Sequence, residues 1–474
     1  MTSGREIKAG LGYTIGNILI KGIVFITLPI FSRMLNTEQF GIYTTYMAYE
    51  GILAILLGLG MYSSIKNAYI DFPEKLEDYV STLITLTLIP LFICLTLVTV
   101  FPNYFSSLIG IPHFLLYMLI LQSFGSAMLS VSNSRLAIDY NYKRYMVFAG
   151  INTFLNVGLS IAFILTFFSV NREYGRIFGS AIPLIGIGIY IFIYYIRPRK
   201  FNLRLAKYAI KIGFPLIWHY LSQQIQNQFD RIAITRIVGA SFTGIYSFVY
   251  SIANILQVIF YSTENVWTVW LYEQMSKKQY IKIRETSKKY IFLITCVAIL
   301  MLVGFREVIV IMGDRGYWEG VTISIPILIG IYLLFLYTIP VGIEYFFKKT
   351  QYIALMTGVA AVLNIILNYL LIPYFGYIAA AYTTLISYGV QFIGHWIISC
   401  IILKENNIKT IFDLSYMVKM FSFVCASGIA VYYLNAFPVI KYCVFALLFA
   451  YIYVRKKNDI QLLVNMMIKR KGGR

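Results

Sequence analysis

An all-α polytopic membrane protein, with about 14 transmembrane helices arranged as two parallel six-helix lobes and two further C-terminal helices, is the fold the sequence predicts. Three observations predict it: apolar runs of spanning length fill the chain, basic residues alternate from loop to loop, and a motif recurs at a fixed offset of 203 residues. Of the 474 residues, 59% are hydrophobic and 13% charged, with a mean hydropathy of +0.73, a balance outside that of soluble domains.

Crossing about 30 Å of hydrocarbon at about 1.5 Å per residue takes roughly 20 mostly apolar residues. Spans are accordingly expected near Leu11–Phe31, Phe40–Tyr62, Tyr79–Phe101, Phe114–Val131, Met146–Phe168 and Ile177–Ile196. A second set is expected near Ile210–Ile234, Phe242–Tyr261, Tyr290–Met312, Val321–Tyr345, Ile353–Ile372 and Tyr377–Leu403, followed by Tyr416–Leu434 and the short Val439–Tyr453. The first apolar run has a full span's length and lacks a small-residue cleavage site, so it is read as a retained helix and not as a signal peptide.

The formal charge of +20 is distributed by membrane side and not gathered into one patch, which argues against nucleic acid as a partner and fits the positive-inside rule. Arg5 and Lys8 precede the first span, and every second loop thereafter is basic. One such loop carries Arg197, Arg199, Lys200, Arg204, Lys207 and Lys211, and the next carries Lys277, Lys278, Lys282, Arg284, Lys288 and Lys289. The segments Pro102–His113 and Pro373–Gly376 contain neither Lys nor Arg. The tail holds Arg455, Lys456, Lys457, Lys469, Arg470, Lys471 and Arg474. Both termini are therefore expected in the cytoplasm, which requires an even number of spans.

Cys94, Cys296, Cys400, Cys425 and Cys443 are isolated within spans, without disulfide or metal spacing, and are read as packing residues. There is no P-loop and no dinucleotide-binding glycine pattern, so no cofactor and no ATP bound to this chain are expected. The loops are too short for an external catalytic domain, and the chain is not read as an enzyme.

The repeat pairs Arg33, Gly41, Ile42 and Tyr43 with Arg236, Gly244, Ile245 and Tyr246, and Ile52 and Leu53 with Ile255 and Leu256, each 203 positions apart. Both copies fall at the turn between the first and second helices of a half. Six helices per half is even, so the halves point the same way and a site is expected between them. The expected organisation is residues 1–203 as the first lobe, 204–403 as the second, and 404–474 as two added helices with a basic tail.

Lys21 lies at the midpoint of the first span, where a cation is costly to hold and normally faces a partner or a water-filled passage. Thr14, Asn17 and Lys21 form a short polar stripe; on the seventh helix His219, Gln223, Gln226 or Asn227, and Asp230 form a longer one, at intervals that share a helix side. Under the offset, Lys21 corresponds to Gln224. Such stripes line a hydrated cavity or serve as interhelical hydrogen-bond glue. Glu50 reaches a depth similar to that of Lys21, about ten residues into the second helix, and a Lys21–Glu50 pair reads either as a structural bridge or as a protonation switch. Arg231, Arg33 and Arg236 are weaker candidates. Glu264 and Glu344 read as helix-end groups that cap or face water, and His395 as a packed polar group. Pro29, Pro183, Pro215, Pro326 and Pro340 interrupt spans and permit kinks. Trp218, Trp267 and Trp270 are read as aromatics near the cavity that could stack on sugar rings.

The segment from Asn364 through Asn368, Pro373 and Gly376 to Ala381 resembles the eleventh-to-twelfth helix signature of the bacterial polysaccharide flippases. Phe229-Asp230-Arg231-Ile232 followed by Gly244-Ile245-Tyr246-Ser247, and Phe31-Ser32-Arg33 through Phe40-Gly41-Ile42-Tyr43, resemble other turns of that family. The resemblance spans roughly residues 8 to 455. The first-half counterpart, Leu155-Asn156 through Tyr174-Gly175, is degenerate, and the cationic triad of peptidoglycan-precursor flippases is not matched. The resemblance implies an O-antigen or capsule repeat-unit flippase of the multidrug/oligosaccharidyl-lipid/polysaccharide exporter superfamily, in the bacterial cytoplasmic (inner) membrane. Its implied partners are an undecaprenyl-pyrophosphate-linked oligosaccharide, membrane lipids, a coupling proton or sodium ion, and other polysaccharide-assembly proteins. Lys21 and Arg231 would then meet phosphate or acidic sugar, the stripe from His219 through Gln223 and Asn227 would meet hydroxyls, and Glu50 or Asp230 would carry the coupling ion; the last two helices would hold the lipid tail. A multidrug antiporter of the same superfamily, a peptidoglycan-precursor flippase and a membrane-embedded glycan polymerase are the competing functions.

Overall fold

A computed structural model describes residues 16, 22–23, 25–196 and 201–469. The described secondary structure is helical. The helices are α1 (Phe25–Met34), α2 (Thr37–Gly58), the short α3 (Ile65–Asp71), α4 (Leu76–Val100), the short α5 (Pro102–Ile109), α6 (His113–Ile138), α7 (Tyr142–Thr166) and α8 (Arg172–Ile196). They continue as α9 (Leu203–Ile237), α10 (Ala240–Ser276), α11 (Tyr280–Met312), α12 (Val321–Phe346), α13 (Thr350–Phe375), α14 (Ile378–Glu405), α15 (Leu414–Leu434) and α16 (Pro438–Lys469).

Among the described residues, 11 helices are long and apolar enough to cross a membrane, and α1 and Pro438–Val454 are shorter apolar stretches. The chain is an all-α polytopic membrane protein. Several helices outrun the expected spans: α10 extends to Ser276 and α11 begins at Tyr280, where hydropathy fades. Lys282, Arg284, Lys288 and Lys289 occupy the first turns of α11, and a helix continues through solvated charges that a bilayer would refuse.

The chain divides into two compact units, Met1–Gly244 and Ile245–Arg474. In the first, α2 starts at a capping box: Gln39 N–H donates to Asn36 Oδ1 at 2.8 Å, and Asn36 N–H donates to Gln39 Oε1 at 3.2 Å. This satisfies backbone donors that a helix start leaves open. The repeat glycines then meet. A Cβ on Gly41 would stand 1.8 Å from Ala240 O, and one on Gly244 would stand 1.8 Å from Thr37 O. Thr37 and Ala240 are themselves 203 apart, so the contact is reciprocal under the repeat offset, as in a two-fold self-complementary interface. Thr37 Oγ1 and Ser241 Oγ, 2.6 Å apart, close the same crossing. Beyond it, Thr45 and Thr243 each hydrogen-bond Thr235, at 2.6 and 2.7 Å.

In the second unit α12 is the central helix, with 78% of its spanning window buried; Pro326 and Pro340 lie inside it. The signature residues of α13 and α14 form a buried clasp. Asn364 Nδ2 donates to Thr384 Oγ1 at 3.2 Å, Asn368 Nδ2 to Asn364 Oδ1 at 3.1 Å, and Thr383 Oγ1 to Asn368 Oδ1 at 2.5 Å. Gly376 ends α13 at φ 65 and ψ −161, a region open essentially to glycine alone. On α16, fully buried Lys441 donates to Glu307 Oε1 at 2.7 Å and to Asn435 Oδ1 at 3.1 Å, tying that helix to α11.

Two outcomes follow from these local geometries. Gly376→Ala is expected to destabilise the protein by about 1–3 kcal/mol, while Gly389→Ala, inside α14 with only an ordinary contact near its Cβ, is expected to be neutral; melting in detergent compares them. Asp413 caps α15 by accepting from Tyr416 N–H at 3.2 Å and pairs with Arg284 at 3.1 Å and Lys288 at 3.3 Å. The Arg284 hydrogen bond comes first among the causes that hold its carboxyl below the ordinary value of 3.8. Its contribution is therefore full above the ordinary aspartate range and fades as pH falls below it. Asp413→Asn keeps the cap and is expected to cost under about 1 kcal/mol, whereas Asp413→Ala is expected to cost about 0.5–2 kcal/mol; denaturation at neutral pH and near pH 3 separates cap from ion pair.

Candidate functional site

Three helices of the first unit build a cavity of about 340 Å³, at the low end of the range for small-molecule sites. From α2 come Glu50, Gly51, Ala54, Ile55 and Gly58; from α6 come Ser126, Ala127 and Ser130; from α9 come Tyr220, Gln223, Gln224 and Asn227. Tyr62, just beyond α2, completes the wall. The spacing of Gly51, Ala54 and Gly58 puts small side chains on one face of α2, and that face is what opens the space. A Cβ on Gly51 would stand 1.9 Å from Gln224 Nε2, so the amide reaches in only because residue 51 is glycine.

Glu50 is 6% exposed. Its carboxylate accepts a hydrogen bond from Ser126 Oγ, and its backbone carbonyl accepts one from Ser123 Oγ at 3.2 Å. Serines at 123, 126 and 130 share one face of α6 and thus present hydroxyls to α2. Next to this layer, Tyr46 OH donates to Gln122 Oε1 at 3.0 Å. At the other end the rings of Tyr62 and Tyr220 lie 5.1 Å apart at 32°. The chemistry of the wall is one carboxylate among amides, hydroxyls and phenols. It can bind hydroxyl-rich ligands by hydrogen bonds, and it can hold a proton or cation at Glu50.

The structure brings Glu50, Gln223 and Asn227 together and leaves three candidates outside the lining. His219 lies one turn before Gln223, its Nδ1 buried without a hydrogen-bond partner. Asp230 and Arg231 are buried at 2% and 7% exposure, and Arg231 Nη1 donates to Asn227 O at 2.8 Å. The lining takes Gln223 and Asn227 together with Tyr220 and Gln224; Gln226 lies about 100° round the helix from Asn227, and Asp230 and Arg231 lie about one turn further along α9 than Asn227. Lys21, and with it the Lys21–Glu50 pair, lies outside the described residues. No Lys or Arg lines the cavity among the described residues. Trp218 is 67% exposed, and Trp267 stacks on Tyr290 with ring centroids 5.1 Å apart, so the aromatic wall of the cavity is the pair Tyr62–Tyr220.

Sequence reasoning missed Ser126, Ser130, Tyr62 and Tyr220. The signals were present in the serine spacing on α6 and in Tyr220 standing one turn before Gln223. It also misread Glu344, which faces neither water nor a cap. Glu344 and His395 are both fully buried, with His395 Nδ1 2.7 Å from Glu344 Oε1. A helix end near a basic loop is normally solvated, but α12 is covered nearly all round, and α14 closes over its last turn.

The chain aligns with the lipid II flippase MurJ in an inward closed conformation at a TM-score of 0.68 and 14% identity, covering 94% of this chain and 99% of that one. It aligns with an inward-facing multidrug resistance MATE family transporter of the MOP superfamily at a TM-score of 0.64 and 16% identity, over 82% and 99% of the two chains. At these identities the likeness shows the shared fold. The succinoglycan biosynthesis transport protein ExoT of Rhizobium meliloti is 25% identical over 236 residues, 49% of this chain and 47% of that protein. Residues 8–268 match a family described as polysaccharide biosynthesis protein, more than half of the chain, and the chain belongs to that family.

Proposed function

We propose that the protein is a flippase that turns undecaprenyl-pyrophosphate-linked oligosaccharide repeat units from the cytoplasmic to the periplasmic leaflet by ion-coupled alternating access, and that it is not an enzyme. The observation that carries this reading is the cavity of the first unit, in which Glu50 is set among Ser126, Gln223, Gln224 and Asn227 beside the Tyr62–Tyr220 pair. Hydroxyls, amides and phenols are the partners a sugar uses. Membership of the polysaccharide biosynthesis family, the fold shared with MurJ and the likeness to ExoT support the same cargo class. On this reading the chain is a multi-pass protein of the bacterial cytoplasmic membrane with both termini in the cytoplasm. Its lobes are residues 1–203 and 204–403, and residues 404–474 add two helices beside the lipid tail. Lys21 and Arg231 serve the anionic part of the cargo, His219, Gln223 and Asn227 its hydroxyls, and Glu50 or Asp230 the coupling proton or sodium ion.

A second reading has one observation in its favour: the charged side chain in the described lining is an acid, which suits a drug cation. Deleting the gene separates the two. The flippase reading requires a lipid-linked glycan to accumulate on the cytoplasmic face; the antiporter reading requires unchanged glycan and loss of dye-cation efflux.

Lys21→Ala is expected to reduce surface glycan severely at matched protein level, and Lys21→Arg to retain more of it, because a cation facing the passage binds the anion of the cargo. Normal surface glycan with Lys21→Ala would remove that role. For Glu50 the informative set is Glu50→Gln, Lys21→Met and the double variant, scored for both export and melting temperature. If Glu50 only neutralises Lys21, the double variant recovers stability and export together. If Glu50 carries the coupling proton, the double variant folds well and exports poorly, which is the expected result.

A further inference from the structure

The buried pair in the second unit carries chemistry that the cavity of the first does not use. Glu344 on α12 and His395 on α14 have no exposed side-chain surface, and His395 Nδ1 lies 2.7 Å from Glu344 Oε1. The remaining atom of each group, Glu344 Oε2 and His395 Nε2, is buried without a hydrogen-bond partner. Buried polar atoms in proteins are overwhelmingly partnered, and each exception calls for an explanation; here both members of one pair keep such an atom. A site whose proton content changes explains them. With Glu344 ionised and His395 neutral the pair carries one net negative charge; adding one proton at the imidazole makes it an ion pair of zero net charge. That proton changes Nε2 from acceptor to donor, and it changes the site's charge by one unit in a medium where charge is felt strongly.

The surroundings keep this charge confined. Tyr337 stacks on the imidazole, with ring centroids 5.5 Å apart and planes at 28°. Three titratable groups interact electrostatically with Tyr337: Tyr345 on α12 and, from α10, Tyr261 and Glu264. Lys348 and Lys349 lie past the end of α12, and Lys349 pairs with Glu405 at 3.6 Å. The hydrogen bond spans α12 and α14, so a change in its protonation acts on the packing of two helices at the centre of the unit.

We propose that Glu344 and His395 form a proton-binding site of the second unit that takes up one proton at His395, and that, resting on the transport reading above, this uptake couples to the transport cycle alongside Glu50. The chain has three histidines, His113, His219 and His395, so histidine-labelled protein in lipid nanodiscs gives a magnetic-resonance spectrum that single His→Gln variants assign completely. The His395 imidazole is expected to change between neutral and imidazolium forms as the pH is varied, and Glu344→Gln to leave less imidazolium at a given pH. An imidazole that keeps one protonation state at every pH at which the wild type stays folded overturns the proposal, and so does a titration that Glu344→Gln leaves unmoved. In vesicles, His395→Gln is expected to lose the dependence of transport on a pH gradient, and retention of that dependence overturns the coupling. The titration needs no substrate, so a protein that titrates at His395 yet exports no glycan would refute the flippase reading and leave the proton site standing.

Discussion

Hydrocarbon offers no hydrogen bonds, so each polar group inside this protein has to be answered by another group of the protein or by trapped water. Much of the architecture follows from that constraint. The asparagines of α13 answer the threonines of α14, Thr235 answers Thr45 and Thr243, and Ser126 answers Glu50. Residues that read from sequence as a family signature are, in space, one buried clasp closed by a turn that only glycine can make. The exceptions are then informative, because each orphaned polar atom in such an environment calls for an explanation.

Small residues provide what hydrogen bonds cannot, since apolar surface gains nothing from leaving lipid for a partner helix and association depends on close contact. On α2 this requirement appears twice. Gly41 lets the first turn of the helix meet Ala240 at backbone distance, and Gly51 with Ala54 and Gly58 opens the cavity further along the same helix. The reciprocal contact of Gly41 and Gly244 places the repeat at the point where approach is tightest. Any motion of α2 about that crossing carries Glu50 with it.

The fold was largely legible because apolar length and basic loop charge are properties of local sequence. The apolar spans could be read from residues near one another, and the repeat from a motif that recurs at an offset of 203 residues. The site was legible where a polar residue stood out against an apolar helix, as Glu50, Gln223 and Asn227 did. It was not legible where the outcome depended on which face of a helix a neighbour covers. Asp230 and Arg231 look like cavity residues from spacing alone, yet they lie about one turn beyond Asn227 along α9, past the last residue that this helix gives to the lining. Glu344 looked solvated because the chain around it is basic, and only the placement of α14 shows that its last turn is enclosed. Ser126 and Ser130 were hidden by their ordinariness, since a serine in a membrane helix commonly bonds its own backbone, as Ser130 does to Ser126 O.

The charge in the first unit's cavity bears on how an anionic cargo could enter at all. On the proposed function, a pyrophosphate or acidic sugar approaches a wall whose described charge is Glu50, and two anions in a poorly solvated space repel strongly. Protonating Glu50 removes the repulsion, and a cation from Lys21 would reverse it. Either way, affinity for the cargo and affinity for the proton are linked, and by thermodynamic reciprocity each raises the other by the same factor. On the proposed function, that linkage would arise from a carboxyl group placed where the anion passes, in a cavity where the carboxylate's own partner, Ser126, can either donate to the ionised form or accept from the protonated one.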